Sequence, residues 1–405
     1  MALIVQKYGG TSVGSLALIR NVAAQVAQVR ARGDRVVVVA SAMGDETDRL
    51  LEMARALTPD PDLRELDSLL ATGEQVSVAL LAMALRAIGL PAVSYSGAQV
   101  RVLTSAAHGK ARIESIETAR LQDDLAAGRL PVVAGFQGVN DRGDITTIGR
   151  GGSDTTAVAL AVALQAGECQ ILTDVDGVFT TDPRMVPEAR CLPRVSFEEM
   201  LELAGQGSKV LHLRAVEFAK KYNMPLRVAS AFHSSAGTLI CAEESAVEAP
   251  IVAGIAFNRD EAEINCFGLP DAPGTAYRVL KPVSDANIEV DMIVVSAARD
   301  GKTDLSFTVH RDDYVQVRQI AESIVRGFPD ASFVANNRVA KLSVVGVGMR
   351  SHAGVATQLF ETMARESINV RLVSTSEIKI SVLVDEPQLE RAVRALHTAY
   401  RLSGH

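Results

Sequence analysis

The 405-residue sequence predicts an α/β protein, in which a three-layer α/β/α domain is followed by two α+β modules of the βαββαβ, ferredoxin-like type. Three observations predict this fold class. Short apolar strands alternate with helical patterns up to about residue 245, as in βαβ units around a parallel sheet. The composition changes near residues 243–250, and the glycine turn at 268–276 then recurs at 348–356. This length suits two or three domains better than one.

The first elements are a strand, a glycine turn and a helix. Residues 3–7 form an apolar strand that ends at Lys7, and two glycines follow at Gly9 and Gly10. A helix with one apolar face is predicted from Ser15 to Gly33. A lysine beside glycines can bind phosphate, although a lone lysine at a strand end is more often solvated.

The remaining elements of the first domain follow from apolar periodicity and from turn residues. Strands are expected at residues 36–40, 91–94, 131–134, 145–148, 170–172, 226–228 and 238–240. Helices are expected from Asp45, over 63–88 with an interruption at 71–74, near 112–126, and over 196–204 and 208–222. Glu74, inside the interruption, can be read as a plain first-turn acid.

A glycine run connects the strand at 145–148 to a helix that begins near Ser153. Its residues are Gly149, Arg150, Gly151 and Gly152. Glycines let backbone N–H groups approach a ligand closely, and the helix start adds its positive dipole end. Arg150 can bind a carboxylate or a phosphate through two parallel hydrogen bonds. The run therefore predicts an anion site.

Two known phosphate-binding patterns fit these glycines poorly. In a dinucleotide-binding fingerprint the third glycine would stand where this chain has Asp154, a carboxylate that would repel a pyrophosphate. Residues 9–14 have the glycine spacing of a Walker loop but lack its Lys-Ser/Thr pair. A second polar strand end, Thr173 and Asp174, follows the strand at 170–172, where ligands of open α/β sheets bind.

Composition limits the possible partners. The net charge is −7, aromatic residues make up 4% and tryptophan is absent, which argues against nucleic acid and against an acidic membrane surface. The four cysteines contain no C-x-x-C pair, and the histidines show no metal-ligand spacing. No apolar run approaches 18 residues and no signal sequence is seen, so we expect a cytoplasmic protein without a protein-bound metal.

The two repeats each read as strand, glycine turn, helix, strand, strand and helix. Each glycine turn exposes a helix N-terminus, which suits the carboxylate of a small ligand. The alternative is that the repeats are packing modules for dimerisation.

Seven motifs, in order and spacing, resemble those of bacterial monofunctional aspartokinases. They are KYGGTSVGS at 7–15, VASAMGDETDRL at 39–50, TGEQVS at 72–77, GFQGVNDRGDITTIGRGGSDTTA at 135–157, TDVDGVFTTDPR at 173–184, SKVLH at 208–212 and STSEIKISV at 374–382. The resemblance covers essentially the whole chain. It implies an amino-acid-kinase domain at 1–245, a linker and strand at 246–263, and ACT domains at 264–340 and 341–405, with residues 251–255 joining the sheet of the last module.

The resemblance implies transfer of the γ-phosphoryl group of MgATP to the β-carboxylate of L-aspartate, which gives 4-phospho-L-aspartate at the start of lysine, threonine and methionine biosynthesis. A carboxyl group with a reference pKa of about 3.9 is ionised at neutral pH, so the nucleophile needs no general base. The reaction instead needs charge neutralisation and alignment, because two anions must meet.

By resemblance, each motif residue has an implied role. The catalytic residues are Lys7, Arg150, Asp154 and Lys209. Aspartate is held by Ser41, Thr47, Glu74, Arg150, Gly151 and Gly152, with Arg150 on a carboxylate and Glu74 on the amino group. ATP, which carries the Mg²⁺, is held by Lys7, Gly9, Gly10, Thr11, Ser12, Thr173, Asp174, Phe179, Arg184 and Lys209. An inhibitory effector, lysine or threonine, is held by Asp271, Gly274, Ala276 and Asn369.

The chain departs from the family pattern at a few positions. Phe179 stands where tyrosine is usual, and Leu213 and Ala353 replace common prolines. Val295 and Ser296 stand where many members carry the Gln-Asn pair that binds the effector. The expected feedback inhibition therefore depends on how well the other effector contacts serve.

Two alternatives remain at this point. Acetylglutamate, glutamate and uridylate kinases share the implied fold but lack the two terminal modules and the combination of KYGGTS with GRGGSD. A catalytically weak ACT-type amino-acid sensor is the other possibility, although Lys7, Arg150 and Asp154 are all present. A homodimer or higher assembly through the ACT domains is expected, because pairing covers sheet edges.

Overall fold

The computed structural model describes residues 2–207, 210–243, 251–352 and 354–403. Lys209, Ala353 and residues 246–250 of the predicted linker lie outside the described residues. The chain forms two compact units. The first comprises the described residues within Met1–Val178, Cys191–Ala204 and Lys209–Ser245, and the second those within Phe179–Arg190, Gly205–Ser208 and Ala246–His405.

The first unit contains the following strands and helices. The strands are β1 (Leu3–Tyr8), β2 (Arg35–Ala40), β3 (Ala92–Tyr95), β4 (Val102–Thr104), β5 (Ile113–Ile116), β6 (Leu130–Ala134), β7 (Gln137–Val139), β8 (Ile145–Thr147), β9 (Glu168–Thr173), β10 (Arg194–Ser196), β11 (Leu226–Ser230) and β12 (Thr238–Cys241). The helices are α1 (Gly10–Val13), α2 (Leu16–Ala31), α3 (Glu46–Leu57), α4 (Leu63–Ala87), α5 (Ala119–Ala126), α6 (Gly152–Ala163), α7 (Phe197–Gly205) and α8 (Leu213–Tyr222).

Eight strands form the central sheet, in the order β10-β12-β11-β9-β1-β2-β6-β3. From β11 to β3 all neighbouring strands are parallel, and β12 runs antiparallel to β11. The β-branched run of β2 is buried on both faces, as expected for a central parallel strand. The carboxyl ends of six neighbouring strands therefore lie at one edge of this sheet.

Alternation along β1 places the helices of the two outer layers. Tyr8 packs in a core with α2 and α4, through side chains such as Val22 and Leu81. Lys7 points to the opposite face because successive strand residues alternate, and there it meets Asp154 of α6. The three layers are thus α2 with α4, the sheet, and α6 packed against α8.

A second sheet of four short strands, β5-β4-β7-β8, is anchored to α4 by one buried carboxylate. Asp67, 1% exposed, lies 2.7 Å from His108 Nδ1 and accepts hydrogen bonds from the Gly109 N–H and the Thr147 hydroxyl. Gly109 in turn lies beside the glycine run, since a Cβ on Gly149 would be 3.0 Å from its carbonyl oxygen. Asp67 therefore fixes the loop on which the glycine run rests.

The second unit is built from antiparallel strands and four helices. They are β13 (Gly254–Pro270), α9 (Thr275–Asp285), β14 (Val290–Val295), β15 (Lys302–His310), α10 (Tyr314–Arg326), β16 (Ser332–Val345), α11 (Val355–Arg365), β17 (Leu372–Thr375), β18 (Lys379–Asp385) and α12 (Leu389–Ala399). The sheet order is β14-β15-β13-β16-β18-β17. The two repeats predicted from the glycine turns are thus present, with α9 and α11 at equivalent places.

One long strand, β13, belongs to both repeats. Its first residues, from Gly254 to Asn258, pair with the end of β16, and its later residues pair with β15. Val252 and Ile255 lie in the core of the last repeat, together with α11 and α12. The first repeat has its own core around Phe307. The two repeats therefore interleave rather than follow each other.

The segment Phe179–Arg190 folds with the second unit, although it precedes the end of the first unit in sequence. Met185, Val186 and Ala189 are buried in the core of the last repeat. The Thr180 carbonyl accepts a hydrogen bond from the Ile255 N–H at 2.7 Å, and its hydroxyl lies 2.9 Å from His397 Nε2. The predicted range 1–245 is consequently not one continuous compact unit.

Three predicted helices differ from the observed ones. The interruption expected at 71–74 is wrong, because α4 continues through it and Gly73 lets Ala42 pack closely against the helix. The helix expected near 112–126 begins only at Ala119, and the preceding residues form β5, which pairs with β4. The helix expected over 208–222 begins at Leu213.

Helix α4 is long and apolar enough, by length and composition alone, to cross a membrane, but half of its most apolar window is buried inside the protein. Core helices of soluble proteins commonly pass the same test. The apolar face of α4 that packs with the sheet, including Leu81 and Leu85, explains its composition.

We predict that Asp67→Ala lowers the free energy of unfolding of the first unit by about 3 kcal/mol, because the Gly109 N–H and the buried Thr147 hydroxyl would lose their acceptor and His108 would lose its partner. Urea unfolding followed by circular dichroism measures the change. The matched control is Asp123→Ala, which removes an exposed aspartate and should change stability by less than about 0.5 kcal/mol. An Asp67 variant as stable as that control would contradict the anchoring role.

Candidate active site

The predicted site residues of the first unit gather where parallel strands end. Lys7 lies at the end of β1, Ser41 follows β2, Gly135 follows β6 and Thr173 ends β9. Backbone hydrogen bonds tie these ends together, from the Ser41 N–H to the Tyr8 carbonyl and from the Gly135 N–H to the Ala40 carbonyl. The sheet therefore presents loops from four strands at one edge, the usual ligand-binding position in open α/β folds.

Lys7 and Asp154 form a buried ion pair at the centre of this edge. Lys7 Nζ lies 2.7 Å from Asp154 Oδ1, and the two side chains are 11% and 12% exposed. Asp154 stands in the first turn of α6, where the helix dipole stabilises a carboxylate. A Cβ on Gly9 would lie 3.5 Å from Lys7 Nζ, so the ammonium group sits beside the glycine turn. A fixed positive charge thus lies beside the backbone of the glycine turn.

The turn after β1 packs against the loop after β2. The Gly44 N–H donates to the Gly10 carbonyl, and a Cβ on Gly10 would come within 2.9 Å of the Ala42 carbonyl oxygen. The turn continues into α1, where Ser12 is 2% exposed and its hydroxyl has no hydrogen-bond partner within the described ranges. Thr11 beside it is exposed. This turn offers N–H groups and an unused hydroxyl, which suit phosphate oxygens.

Glu74 faces the same loop from α4. It is 3% exposed, and one carboxylate oxygen accepts a hydrogen bond from the Ala42 N–H at 3.2 Å. The other oxygen has no partner in the part of the chain that the structure describes. Burial raises the pKa of the Glu74 carboxyl group to about 7, partly offset by backbone hydrogen bonds. A buried carboxylate with a free oxygen is suited to an ammonium group.

The glycine run leads into α6 through two left-handed residues, Gly149 at φ 85° and Gly151 at φ 71°. A Cβ on Gly151 would overlap the ring of His212, at 2.1 to 2.5 Å. Arg150 between them is exposed and forms no ion pair with any described residue. The run therefore holds a free guanidinium group at the start of a helix.

Further predicted site residues also lie in the first unit. Thr47 lies in the first turn of α3, and Gly152 opens α6. Asp174 is exposed after β9, and its Oδ1 accepts a hydrogen bond from the Thr173 hydroxyl.

Phe179 and Arg184 belong to the second unit. Phe179 packs against the core of the last repeat, and Arg184 donates to the carboxylate of Asp182 at 2.7 Å. Their role in ATP binding stays a prediction, as does that of Lys209, which lies outside the described residues.

The predicted effector residues lie in the second unit. Asp271, Gly274 and Ala276 surround the start of α9, where Gly274 is left-handed at φ 90° with open space around it. Asn369 is exposed ahead of β17 in the other repeat. At the departure from the family pattern, Val295 is 54% exposed at the end of β14, and the Ser296 hydroxyl accepts a hydrogen bond from the Asp304 N–H.

Sequence reasoning missed two residues at the start of α8, His212 and Arg214. Arg214 donates to the Ile148 and Ala111 carbonyls, directly below the glycine run. Only the SKVLH motif points to this region. Arg214 contacts backbone carbonyls, and such contacts require no oppositely charged residue that the sequence would show. Within the described ranges, no group of three or more His, Cys, Asp or Glu side chains is placed to hold a metal ion.

Comparisons with known proteins agree with this architecture. A profile of the amino acid kinase family matches residues 2–230, and profiles of the ACT domain match residues 263–326 and 342–400. An aspartokinase of Pseudomonas aeruginosa is 58% identical over 404 residues, which cover 99% of this chain and 98% of that protein.

Two crystal structures of Escherichia coli aspartokinase III are similar over 98% of this chain and 99% of theirs. The complex with aspartate and ADP, in the R-state, has a TM-score of 0.79 at 25% identity. The complex with lysine and aspartate, in the T-state, has a TM-score of 0.76 at 26% identity. These matches extend over the kinase domain and both repeats, so the chain belongs to the amino acid kinase family and, within it, to the aspartokinases with two ACT domains, which are phosphotransferases that act on a carboxyl group.

Proposed function

We propose that the protein transfers the γ-phosphoryl group of MgATP to the β-carboxylate of L-aspartate, giving 4-phospho-L-aspartate, and that it acts in the cytoplasm at the first step of lysine, threonine and methionine biosynthesis. The observation that carries the proposal is the buried Lys7–Asp154 pair between two glycine-rich anion sites, the turn after β1 and the run before α6. Two anions that must react need such a centre, because their mutual repulsion is the main obstacle to the reaction.

We assign the turn after β1 to the phosphates of ATP. Lys7 Nζ would contact the transferring group, and the N–H group at Gly10 with the Ser12 hydroxyl would bind the other phosphate oxygens. Gly9, whose N–H donates to the Leu172 carbonyl, would let the phosphates approach the turn closely. The buried hydroxyl of Ser12, which has no partner among the described residues, supports this assignment. Thr11, Thr173, Asp174, Phe179, Arg184 and Lys209 complete the proposed nucleotide site.

Magnesium is proposed to reach the site bound to ATP, since Mg²⁺ prefers phosphate oxygens and water to an all-protein cage. When bound it neutralises phosphate charge. Asp154 holds the Lys7 ammonium group in place beside that charge, through the ion pair at 2.7 Å.

We assign the loop after β2 and the glycine run to aspartate. Arg150 would bind a carboxylate of the substrate and Glu74 its ammonium group, while Ser41, Thr47, Gly151 and Gly152 supply hydrogen bonds. The free oxygen of Glu74 supports this polarity. Because the substrate carboxylate is already ionised at neutral pH, the attacking oxygen needs only alignment.

The two ACT repeats are proposed to bind lysine or threonine and to inhibit the kinase, through Asp271, Gly274, Ala276 and Asn369. The open, left-handed Gly274 at the start of α9 supports access for a carboxylate. A homodimer is proposed through the exposed edge strand β14, where Ile293 and Val295 are 48% and 54% exposed.

The second candidate, a catalytically weak amino-acid sensor, makes the opposite prediction for turnover. Hydroxylamine traps an acyl phosphate as a hydroxamate, so the assay with MgATP and L-aspartate separates the two functions.

We predict that Lys7→Ala and Arg150→Ala each lower kcat/KM by at least tenfold, about 1.4 kcal/mol of transition-state stabilisation, while the fold stays intact.

The control for this pair is Arg142→Ala, which removes an exposed arginine from the turn between β7 and β8. It should retain wild-type kinetics. Near-normal turnover in the Lys7 or Arg150 variant would refute the role assigned to that residue, and no hydroxamate from the wild-type protein would favour the sensor.

We predict that kcat/KM for aspartate falls as the pH drops below about 7, because protonation of Glu74 removes the charge that binds the substrate ammonium. At pH 6 it should be about tenfold below its plateau, as expected for one ionisation of the free enzyme. Glu74→Gln should lose this limb and have a high KM at every pH. A wild-type profile that is flat between pH 6 and 8 would contradict the assignment.

We predict that isothermal titration calorimetry detects binding of lysine or threonine, and that sedimentation velocity of the same samples gives a dimer. Asp271→Ala should weaken the binding at least fivefold, whereas Asp300→Ala, an exposed aspartate in the β14–β15 turn, should not. No heat with either amino acid would refute the sensor role of the repeats, and a monomer at micromolar concentration would refute the dimer.

A further inference from the structure

The start of α8 contacts the glycine run through His212 and Arg214. His212 stands at the N-cap position of α8, and Arg214 is in its first turn. Both are half-buried in the first unit. They follow Lys209 closely in sequence, so one short segment carries a proposed phosphate ligand and two contacts to the glycine run.

Arg214 joins two pieces of backbone that no regular strand pairing holds together at this point. One guanidinium nitrogen donates to the Ile148 carbonyl at 2.7 Å, and the other donates to the Ala111 carbonyl at 3.2 Å. Ile148 directly precedes Gly149, and the Ala111 N–H donates to the Thr147 carbonyl. The two hydrogen bonds of the Arg214 guanidinium group therefore hold the backbone in place where the glycine run begins.

His212 fixes the other end of the run by contact. A side chain at Gly151 would overlap the imidazole ring, and Gly151 is left-handed at φ 71°. Only glycine fits here on both grounds. Burial lowers the pKa of His212, and the charges of Arg214 and Arg150 lower it further, whereas those of Asp154 and Glu217 raise it. The neutral ring thus acts as a wall behind Gly151.

The need for such support follows from the glycines themselves. Glycine loses more conformational freedom than any other residue when its backbone is fixed. Arg150 is exposed, and no described side chain orients it through an ion pair. Its direction is therefore set by the backbone of the run, and that backbone is held by His212 and Arg214.

We infer that His212 and Arg214 are positioning residues for the aspartate site: they hold the glycine run in the shape that directs Arg150 and the N–H groups of α6 toward the substrate carboxylate. This inference rests on the proposed function. Preorganised donors avoid an ordering cost on binding, so loss of the support should appear mainly in the KM for aspartate.

The test compares Arg214→Met with Arg214→Lys and with a matched control. The control is Arg227→Met, since Arg227 also lies half-buried in the first unit and donates both to a carboxylate, that of Glu168, and to a backbone carbonyl, that of Ala236. Each variant is assayed by hydroxamate formation with aspartate or ATP varied in turn, and its thermal unfolding is measured in parallel.

We expect Arg214→Met to raise the KM for aspartate at least fivefold while the KM for ATP changes less than twofold. Arg214→Lys should give an intermediate value, because an ammonium group can donate to a carbonyl but lacks the planar fork. His212→Ala should shift the same KM in the same direction. Arg227→Met should show no such difference between the two substrates, even if its melting temperature falls.

An unchanged KM for aspartate in Arg214→Met, or an equal rise in both KM values, would overturn the inference, because the arginine would then be merely structural. If Arg214→Met does not fold, Arg214→Lys and His212→Ala decide by the same criterion. Wild-type protein that forms no hydroxamate with aspartate would overturn the proposed function, and the inference with it, whereas a normal wild type with unaffected variants overturns the inference alone.

Discussion

The ion pair between Lys7 and Asp154 is the constraint on which the first unit depends. It joins the end of the first strand to the first turn of α6, two elements that are far apart in sequence. Both side chains are almost fully buried, so loss of either would leave the other charge without its partner. The pair therefore fixes the position of α6 relative to the sheet edge, and this position in turn places the two glycine segments beside the pair.

Several polar groups around this pair lack the partners that a purely structural core would give them. The Ser12 hydroxyl and one oxygen of Glu74 are buried without a hydrogen bond among the described residues. Desolvating such groups costs about 1 to 3 kcal/mol each. A ligand that used these groups would offset that cost. The same loops pack so tightly that Gly10 and Gly73 admit no side chain without movement, which leaves these groups little freedom to pair with each other.

Local patterns identified most of the fold, and they failed where distant contacts decide the outcome. The β-branched run of β2 and the glycine turns of the two repeats predicted their elements because the signal is local. The break expected near Gly73 does not occur, since packing against Ala42 favours glycine inside a continuous helix. The helix predicted over the residues of β5 is wrong, because these residues form a strand through pairing with β4 and the local sequence does not indicate that pairing.

The candidate site shows the same division. Lys7 and Arg150 stand out in the sequence as charged residues beside glycines, whereas the roles of Glu74 and Asp154 follow only from the family resemblance, and all four roles stay predictions. Asp67, His212 and Arg214 were missed because no spacing along the chain indicates their contacts, which for Asp67 include His108 and Thr147 and for the other two the backbone of the glycine run. The sequence also does not predict which unit the segment Phe179–Arg190 packs with, because its apolar residues are compatible with the core of either unit.

That placement has a consequence for any attempt to divide the protein. A fragment that starts at residue 251 would contain both ACT repeats but not Met185, Val186 and Ala189, which fill the core of the last one. His397 would lose its contact with Thr180, and the N–H of Ile255 would lose its acceptor. Such a fragment would expose an apolar cavity to solvent and would tend to associate with another apolar surface that covers it. The apparent boundary between catalysis and regulation is therefore not a place where the polypeptide can be cut cleanly.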